Sequence, residues 1–393
     1  MKRITTITLL ALLAVVGLQA QEAYDEILTQ IEANSILLQA LRDEVAAEQL
    51  ANKTGLTPAD PELEFAYCWG TPSKIGSKIN FSAKQGFDFP TVYIHKSKKA
   101  KIDNVNADLR YKSERITNLL QAKETVAGLI RLNALSRLMN EQLENAKGLL
   151  SSYQKSLENG DCTILDLYKC ELNYNNVATQ VAQLAVERKE LLATLVQLNG
   201  GVAIEVTRDA YPPTLLPSDF DEWYATAEEK SPMLKYVKGQ IASSERAVKL
   251  QRSMWLPKLA AGYTSEYVLG QNYKGASVGV SIPLWENKNK IRQAKAELKS
   301  AQTNAENSKI AFYNSLRADF ESALVQQRNV ASFTASLAKV NGGELLKRSL
   351  SLGEISLITY LQEVDYYYNA QRESLENQYE LELTLARLFA TEL

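Results

Sequence analysis

Hydrophobic and polar residues alternate in two short parts of the chain, and each part folds back on itself. The first alternation runs from Leu63 to Trp69 and returns from Ile79 to Phe89, with a turn rich in Gly, Pro and Ser between the two runs. The second is centred on residues 261–282. Alternation with period two predicts β-strands, so we expect β-hairpins over about 61–89 and about 256–282.

Longer stretches with helical spacing surround the hairpins. Apolar residues from Val177 to Leu198 recur at steps of three, four and seven, the 3.5 period of helices wrapped around one another. The pattern predicts helices over about 22–53, 96–159, 162–198, 222–253, 289–352 and 355–388. The chain is therefore predicted to be mainly α with a small β part.

The second half of the chain repeats the first at an offset of 193 positions. Pro90 returns as Pro283, Gly160 as Gly353 and Leu195 as Leu388. An insertion inside a packed helix would rotate every later side chain off its face, so a constant offset indicates a duplicated, rigid long-helix coiled-coil unit. We assign residues 21–200 to the first repeat, 201–221 to a linker or equatorial segment, and 222–393 to the second repeat.

Helix lengths suggest how each repeat is arranged. At about 1.5 Å per residue, the outgoing helix of about 64 residues spans about 96 Å, and the two shorter helices of about 37 and 32 residues together span a similar distance. We therefore expect each long helix to lie beside two stacked shorter ones. This arrangement would put both hairpins at one end and the turns at Gly160 and Gly353 at the other.

The N-terminus indicates where the protein is located, and the overall charge indicates which partners it does not bind. Residues 1–20 have the charged start, apolar run and small final residue of a secretory signal peptide; the alternative is a membrane anchor, for which the run is short. No other apolar run has spanning length, so a membrane crossing would require strands closed into a barrel. The formal net charge of −2 comes without a basic block, so no nucleic-acid partner is expected.

Taken together, the duplication, the hairpin-then-helix order and two short motifs resemble the TolC-like outer-membrane factors. The motifs are Asp60-Pro61-Glu62-Leu63 before the first strand and Ile282-Pro283-Leu284-Trp285 after the last. The resemblance covers essentially the whole mature sequence. It implies a homotrimer with a trimeric α-barrel tunnel and a 12-stranded transmembrane β-barrel, four strands per protomer. It also implies an outer-membrane exit duct of a tripartite efflux pump or type I secretion system. The partners would be a periplasmic adaptor and an inner-membrane pump, and the duct would extend from the outer membrane of a Gram-negative bacterium into the periplasm.

The same resemblance points to two sets of site residues. Gly160-x-x-Thr163-x-x-Asp166 matches the turn motif of the family, whereas the second copy carries Thr359 at the aspartate position, which puts a gate built on an aspartate ring in doubt. The residues expected at the periplasmic tip, for adaptor docking and gating, are Gly160, Thr163, Asp166, Gly353, Ser356, Thr359 and Glu363. Those expected to face lipid are Phe65, Tyr67, Phe81, Val278 and Val280.

The sequence gives no sign of an enzyme, a cofactor or a metal site. The single histidine, His95, lies among lysines and would be a poor base or ligand. The lysines at the start of the first long helix either contact anionic lipid headgroups or are simply exposed to solvent: Lys96, Lys98, Lys99 and Lys101. Two alternatives stay open: the hairpins could form a small soluble sheet packed on the helices, and the whole chain could be a periplasmic coiled-coil adaptor without a channel.

Overall fold

The computed structural model describes residues 24–338 and 342–393, so the predicted signal peptide at 1–20 lies outside the described residues. The helices are α1 (24–34), α2 (Ile36–Ala51), α3 (Pro90–Glu158), α4 (Ile164–Leu198), α5 (Phe220–Lys230), α6 (Pro232–Ser253), α7 (Lys290–Leu337), α8 (Gly342–Ser351) and α9 (Leu357–Leu388). The strands are β1 (Glu62–Trp69), β2 (Ser77–Phe87), β3 (Lys258–Val268) and β4 (Gln271–Ser281). Among these elements, no helix has both the length and the apolar character needed to cross a bilayer.

The described residues fall into two compact units. The first comprises the described residues up to Gln39, together with Glu114–Ala227 and Tyr313–Leu393. The second comprises Ala40–Ser113 and Glu228–Phe312, and it contains all four strands.

The first unit is built around helices with one apolar face. Its core is a cluster of buried side chains from α1, α3, α4 and the segment after α4: Tyr24, Leu28, Ile31, Leu119, Ala122, Val126, Leu129, Ile130, Leu195, Leu198, Ile204 and Val206. The irregular segment that follows α4 is fastened to α3 by hydrogen bonds. Asn133 Nδ2 donates to the carbonyls of Val206 and Arg208 at 2.8 and 2.7 Å, and the Tyr211 hydroxyl donates to the carbonyl of Ala127.

The second unit holds a four-stranded antiparallel sheet in the order β1-β2-β3-β4. The β3–β4 hairpin turns on Leu269 and Gly270, both with positive φ, which is the geometry of a type I′ turn. Helices α3 and α6 approach closely below the sheet, because an added Cβ at Gly239 would lie 1.8 Å from Asn106 Oδ1. Only glycine fits at that position without movement of Asn106.

Three helices predicted to be continuous are interrupted in the structure. The predicted helix 22–53 is broken at Ser35, and the predicted helix 222–253 is broken at Ser231. Each serine caps the helix that follows, accepting the amide of Leu38 at 3.4 Å and of Leu234 at 3.3 Å. A serine at the N-cap satisfies amides that the helix leaves unpaired, so a chain can restart a helix there. The predicted helix 289–352 instead ends at Leu337, and α8 begins at Gly342.

Candidate functional site

The two glycine turns of the first unit close in the same way. After α3, the amide of Gly160 donates to Leu157 O at 3.0 Å and the amide of Asp161 donates to Ser156 O at 2.8 Å. After α8, the amides of Gly353 and Glu354 make the corresponding bonds at 3.1 and 2.9 Å. These are paired C-terminal capping bonds, and they require a left-handed residue, here Gly160 at φ +81° and Gly353 at φ +71°.

Both glycines face open space. No atom lies within 4 Å of a Cβ added at either position. A larger side chain would therefore cost backbone strain and no steric clash, which makes the two glycines turn formers and not packing residues.

A capped helix start follows the first turn. The Thr163 hydroxyl oxygen accepts the amide of Asp166 and donates its own proton to Asp166 Oδ2 at 2.6 Å. Lys169 Nζ lies 3.1 Å from the other oxygen, Oδ1. Both contacts favour the charged carboxylate and hold the pKa of Asp166 below its ordinary value, and the bond from Thr163 has the larger effect. At the first turn the predicted aspartate is thus an ionised N-terminal residue of α4, locked to its own cap.

The second turn has an equivalent N-cap, Ser356, but no charged residue in the place of Asp166. The Ser356 hydroxyl oxygen accepts the amide of Thr359 at 3.1 Å, and the two hydroxyl oxygens are 2.9 Å apart. Thr359 therefore takes the structural place of Asp166 with a neutral group. Glu363 is exposed one turn later, and none of the bonds that hold this cap involves it.

A groove of about 520 Å³ brings the two turn regions together. It is lined by Ser156, Asp161 and Cys162 from the first turn region and by Lys347, Ser351 and Tyr360 from the second. Close to it, Asn145 of α3 donates to the Tyr368 hydroxyl of α9 at 2.6 Å. The sequence indicated that most of the run Tyr366-Tyr367-Tyr368 packs inside the protein, but it did not indicate Tyr360 or the bond from Asn145, because a contact between residues more than 200 positions apart leaves no local pattern.

One arginine joins three helices of the same unit. Arg131 of α3 donates from Nη1 to both carboxylate oxygens of Glu376 of α9 at 3.0 Å, and from Nη2 to Glu187 of α4. Its guanidinium also lies 4.9 Å from the ring centre of Tyr379. Two acids and a ring around one partly buried cation make Arg131 a link between the outgoing helix and both returning helices.

In the second unit, the residues predicted to face lipid share one face of the sheet. Directly opposed residues in neighbouring antiparallel strands point to the same side, and here Phe65 lies opposite Phe81. By the same ladder, Val278 and Val280 lie opposite Ala261 and Leu259. All five predicted residues are substantially exposed: Phe65 68%, Tyr67 53%, Phe81 39%, Val278 84% and Val280 61%.

The opposite face of the sheet is polar and charged. Lys84 lies opposite Glu62 in the register, and Lys78 Nζ is 2.8 Å from a carboxylate oxygen of Glu266. Ser277 and Ser281 lie on this face of β4 because they alternate with Val278 and Val280. The sheet thus has one exposed face that is mainly apolar, with Lys274 and Asn272 near the β3–β4 turn, and one polar face with paired charges.

Comparison with known proteins places this arrangement in a known fold. No protein-family profile matches the chain, and no curated protein matches its sequence. Solved structures do match: the CmeC outer-membrane channel of Campylobacter jejuni has a TM-score of 0.76 at 15% identity, covering 94% of this chain and 85% of that one. The outer-membrane protein VceC of Vibrio cholerae has a TM-score of 0.78 at 12% identity, covering 95% and 97%.

A third match is CusC, whose structures are described in terms of folding and transmembrane channel formation. It has a TM-score of 0.79 at 14% identity, covering 94% of this chain and 91% of that one. Likeness at this level of identity establishes the fold and leaves activity to be argued from the residues. The TolC-like fold expected from the sequence is confirmed, and the chain has the fold of these outer-membrane channel proteins.

Proposed function

We propose that this protein is the outer-membrane exit duct of a tripartite efflux pump or type I secretion system, a passive channel and not an enzyme. It works as a homotrimer in the outer membrane of a Gram-negative bacterium. Its partners are a periplasmic adaptor and an inner-membrane pump. The observation that carries the proposal is the two-faced sheet, apolar and exposed on one side and charged on the other.

The faces and edges of the sheet support membrane insertion as a trimer. Lipid cannot hydrogen-bond the free backbone groups at a sheet edge, so a sheet within lipid must be closed. The outer edges of β1 and β4 have no strand partner within the described residues. Three copies would join β1 of each to β4 of the next and give twelve strands, with aromatic and aliphatic side chains outside and charged ones lining water.

The glycine turns support the docking role. Three protomers would present six turns, each ending a helix with Gly160 or Gly353 and starting the next with a capped Thr163 or Ser356. Two nearly identical turns that share one groove form a repeating surface. An adaptor with its own helical turns could occupy such a surface end to end.

The test replaces both glycines in the full-length protein. Val at Gly160 and Gly353 resists the left-handed backbone, whereas Asn tolerates it, so the Asn pair is the matched control. We expect the Val pair to keep normal trimer in the outer membrane but to lose export and cross-linking to the adaptor, while the Asn pair keeps all three. Normal export by the Val pair with normal trimer would reject the glycine turns as the docking end. A soluble periplasmic protein without trimer would instead favour an adaptor without a channel.

A further inference from the structure

Unpaired cations gather next to His95 in the second unit. Gly239 of α6 lies against Asn106 of α3 and Ser243 lies against Asp103, so the two helices run antiparallel and Arg246 and Lys249 come level with His95 and Lys98. In agreement, burial and then the charges of Arg246, Lys98 and Lys249 lower the pKa of His95. They come from two helices, α3 and α6, which are joined nearby by a hydrogen bond from Ser243 to Asp103. Lys101 is exposed one turn beyond Lys98. We call Lys98, Lys101, Arg246 and Lys249 the basic collar.

Two of the nearby acids are already used by other lysines, and a third, Glu245, is exposed beside Arg246 on α6. Asp88 pairs with Lys96 at 3.2 Å, and Asp103 pairs with Lys99 at 2.6 Å. Among the described residues, no collar cation has a carboxylate within ion-pair distance. Unpaired cations clustered on two helices repel one another, so the collar favours an anionic ligand.

The collar lies just beyond the apolar end of the sheet. Helix α3 starts three residues after β2 ends, and α6 ends five residues before β3 begins. At about 1.5 Å per residue, Lys98 is about 12 Å along α3 from its first residue. The last apolar row of the sheet contains Phe87, Leu259 and Val280. If that row marks the edge of the hydrocarbon region, the collar cations lie at the depth of the lipid headgroups.

Lys98 faces away from the hollow at the end of the sheet. Lys96 lines that hollow together with Glu62, Lys84 and Ser281 of the polar face and with Phe87, Leu259 and Val280 of the last apolar row. Lys98 follows two residues later, about 200° around the helix, and therefore points the opposite way. Ile94, 51% exposed, lies on the same side as Lys98 because the two residues are four positions apart.

We propose that the basic collar binds the phosphate groups of anionic phospholipids in the leaflet that borders the periplasm. The proposal rests on the proposed function, because it needs the sheet to sit in the outer membrane. Charge complementarity supplies the attraction, and Ile94 beside the lysines suits side chains that reach from an apolar boundary to the headgroups.

The experiment measures lipid preference by native mass spectrometry of the full-length detergent-purified protein. Equal amounts of phosphatidylglycerol and phosphatidylcholine are added at low ionic strength, and the ratio of the two bound lipids is read on the trimer peak. The test variant is Lys98→Gln with Lys249→Gln. The matched control is Lys235→Gln with Lys238→Gln, two exposed lysines on α6 that lie about 17 Å or more from Lys249 along the helix.

We expect wild type and control to prefer phosphatidylglycerol, and the collar variant to lose about tenfold of that preference. A wild-type trimer that shows no preference for phosphatidylglycerol would overturn lipid binding by the collar, and so would an equal loss of preference in the two variants. Neither result would contradict the proposed exit duct. A wild-type protein without a trimer peak would overturn the duct and the collar together.

Discussion

At the scale of single residues, the two capped turns differ in charge although their backbones are alike. Thr163 both caps α4 and holds the Asp166 carboxylate, while Ser356 caps α9 beside a neutral Thr359. A side-chain cap is typically worth about 1 kcal/mol. Each turn therefore has an amide bond to the cap and a contact between two side chains, and only in the first turn is a carboxylate part of that contact.

Thr163→Val should fray the start of α4 without unfolding the protein. Loss of the cap should raise amide exchange over residues 164–167 about fivefold, equivalent to about 1 kcal/mol. The control is Thr179→Val on the same helix, where the hydroxyl only donates to the carbonyl of Asn175. Hydrogen exchange measured by mass spectrometry reports both, and equal exchange in the two variants would show that Thr163 has no capping role.

Asp166 should make the same region sensitive to acid. Its folded pKa is below the unfolded value, so its contribution is complete above the ordinary aspartate pKa and is lost as the pH falls through the lower folded value. Asp166→Asn should thus reduce exchange protection at the start of α4 at pH 7 and have no effect at a pH below the folded pKa. A difference that persists unchanged into strong acid would contradict the assigned contacts.

At the scale of elements, the two faces of β4 give the sharpest contrast. Val278→Arg places a charge on the apolar face and should cost about 2–4 kcal/mol if that face meets lipid. Ser277→Arg, one residue earlier on the polar face, should be tolerated. The amount of trimer in outer-membrane fractions measures both, and equal damage from the two substitutions would overturn the assignment of the faces.

Arg131 should hold α3 to α4 and α9 through its two acids. Its side chain is 16% exposed, while Glu187 and Glu376 are about 40% exposed, so removing the cation should cost about 1–2 kcal/mol, less than a fully buried pair. Arg131→Met should lower the thermal unfolding midpoint. Adding Glu187→Gln and Glu376→Gln should restore part of the loss, because no unpaired charge remains; if the triple variant is the least stable, the loss comes from packing.

Much of the element pattern could be predicted because it is periodic. Alternation gave both hairpins and put Phe65, Phe81 and Val278 on one face, and the constant offset related Gly160 to Gly353. The breaks at Ser35 and Ser231 were missed, although Ser231-Pro232 is a cap followed by a residue suited to a first helical position. The contact of Arg131 with Glu376 could not be predicted, since it depends on how distant helices pack.

At the scale of the whole molecule, the proposed channel needs more than one copy of the chain. A four-stranded sheet with two free edges and an exposed apolar face is incomplete alone. In the proposed trimer those edges would pair, one face of the sheet would contact lipid and the other water, and six glycine turns would lie together. Each of these consequences depends on the same stoichiometry.

The most direct test is the mass of the full-length protein extracted in mild detergent from a purified outer-membrane fraction. We predict that the protein sediments with the outer membrane on a density gradient and that native mass spectrometry gives three chains per particle. A stable monomer or dimer, or a protein found only in the soluble periplasmic fraction, would contradict the account.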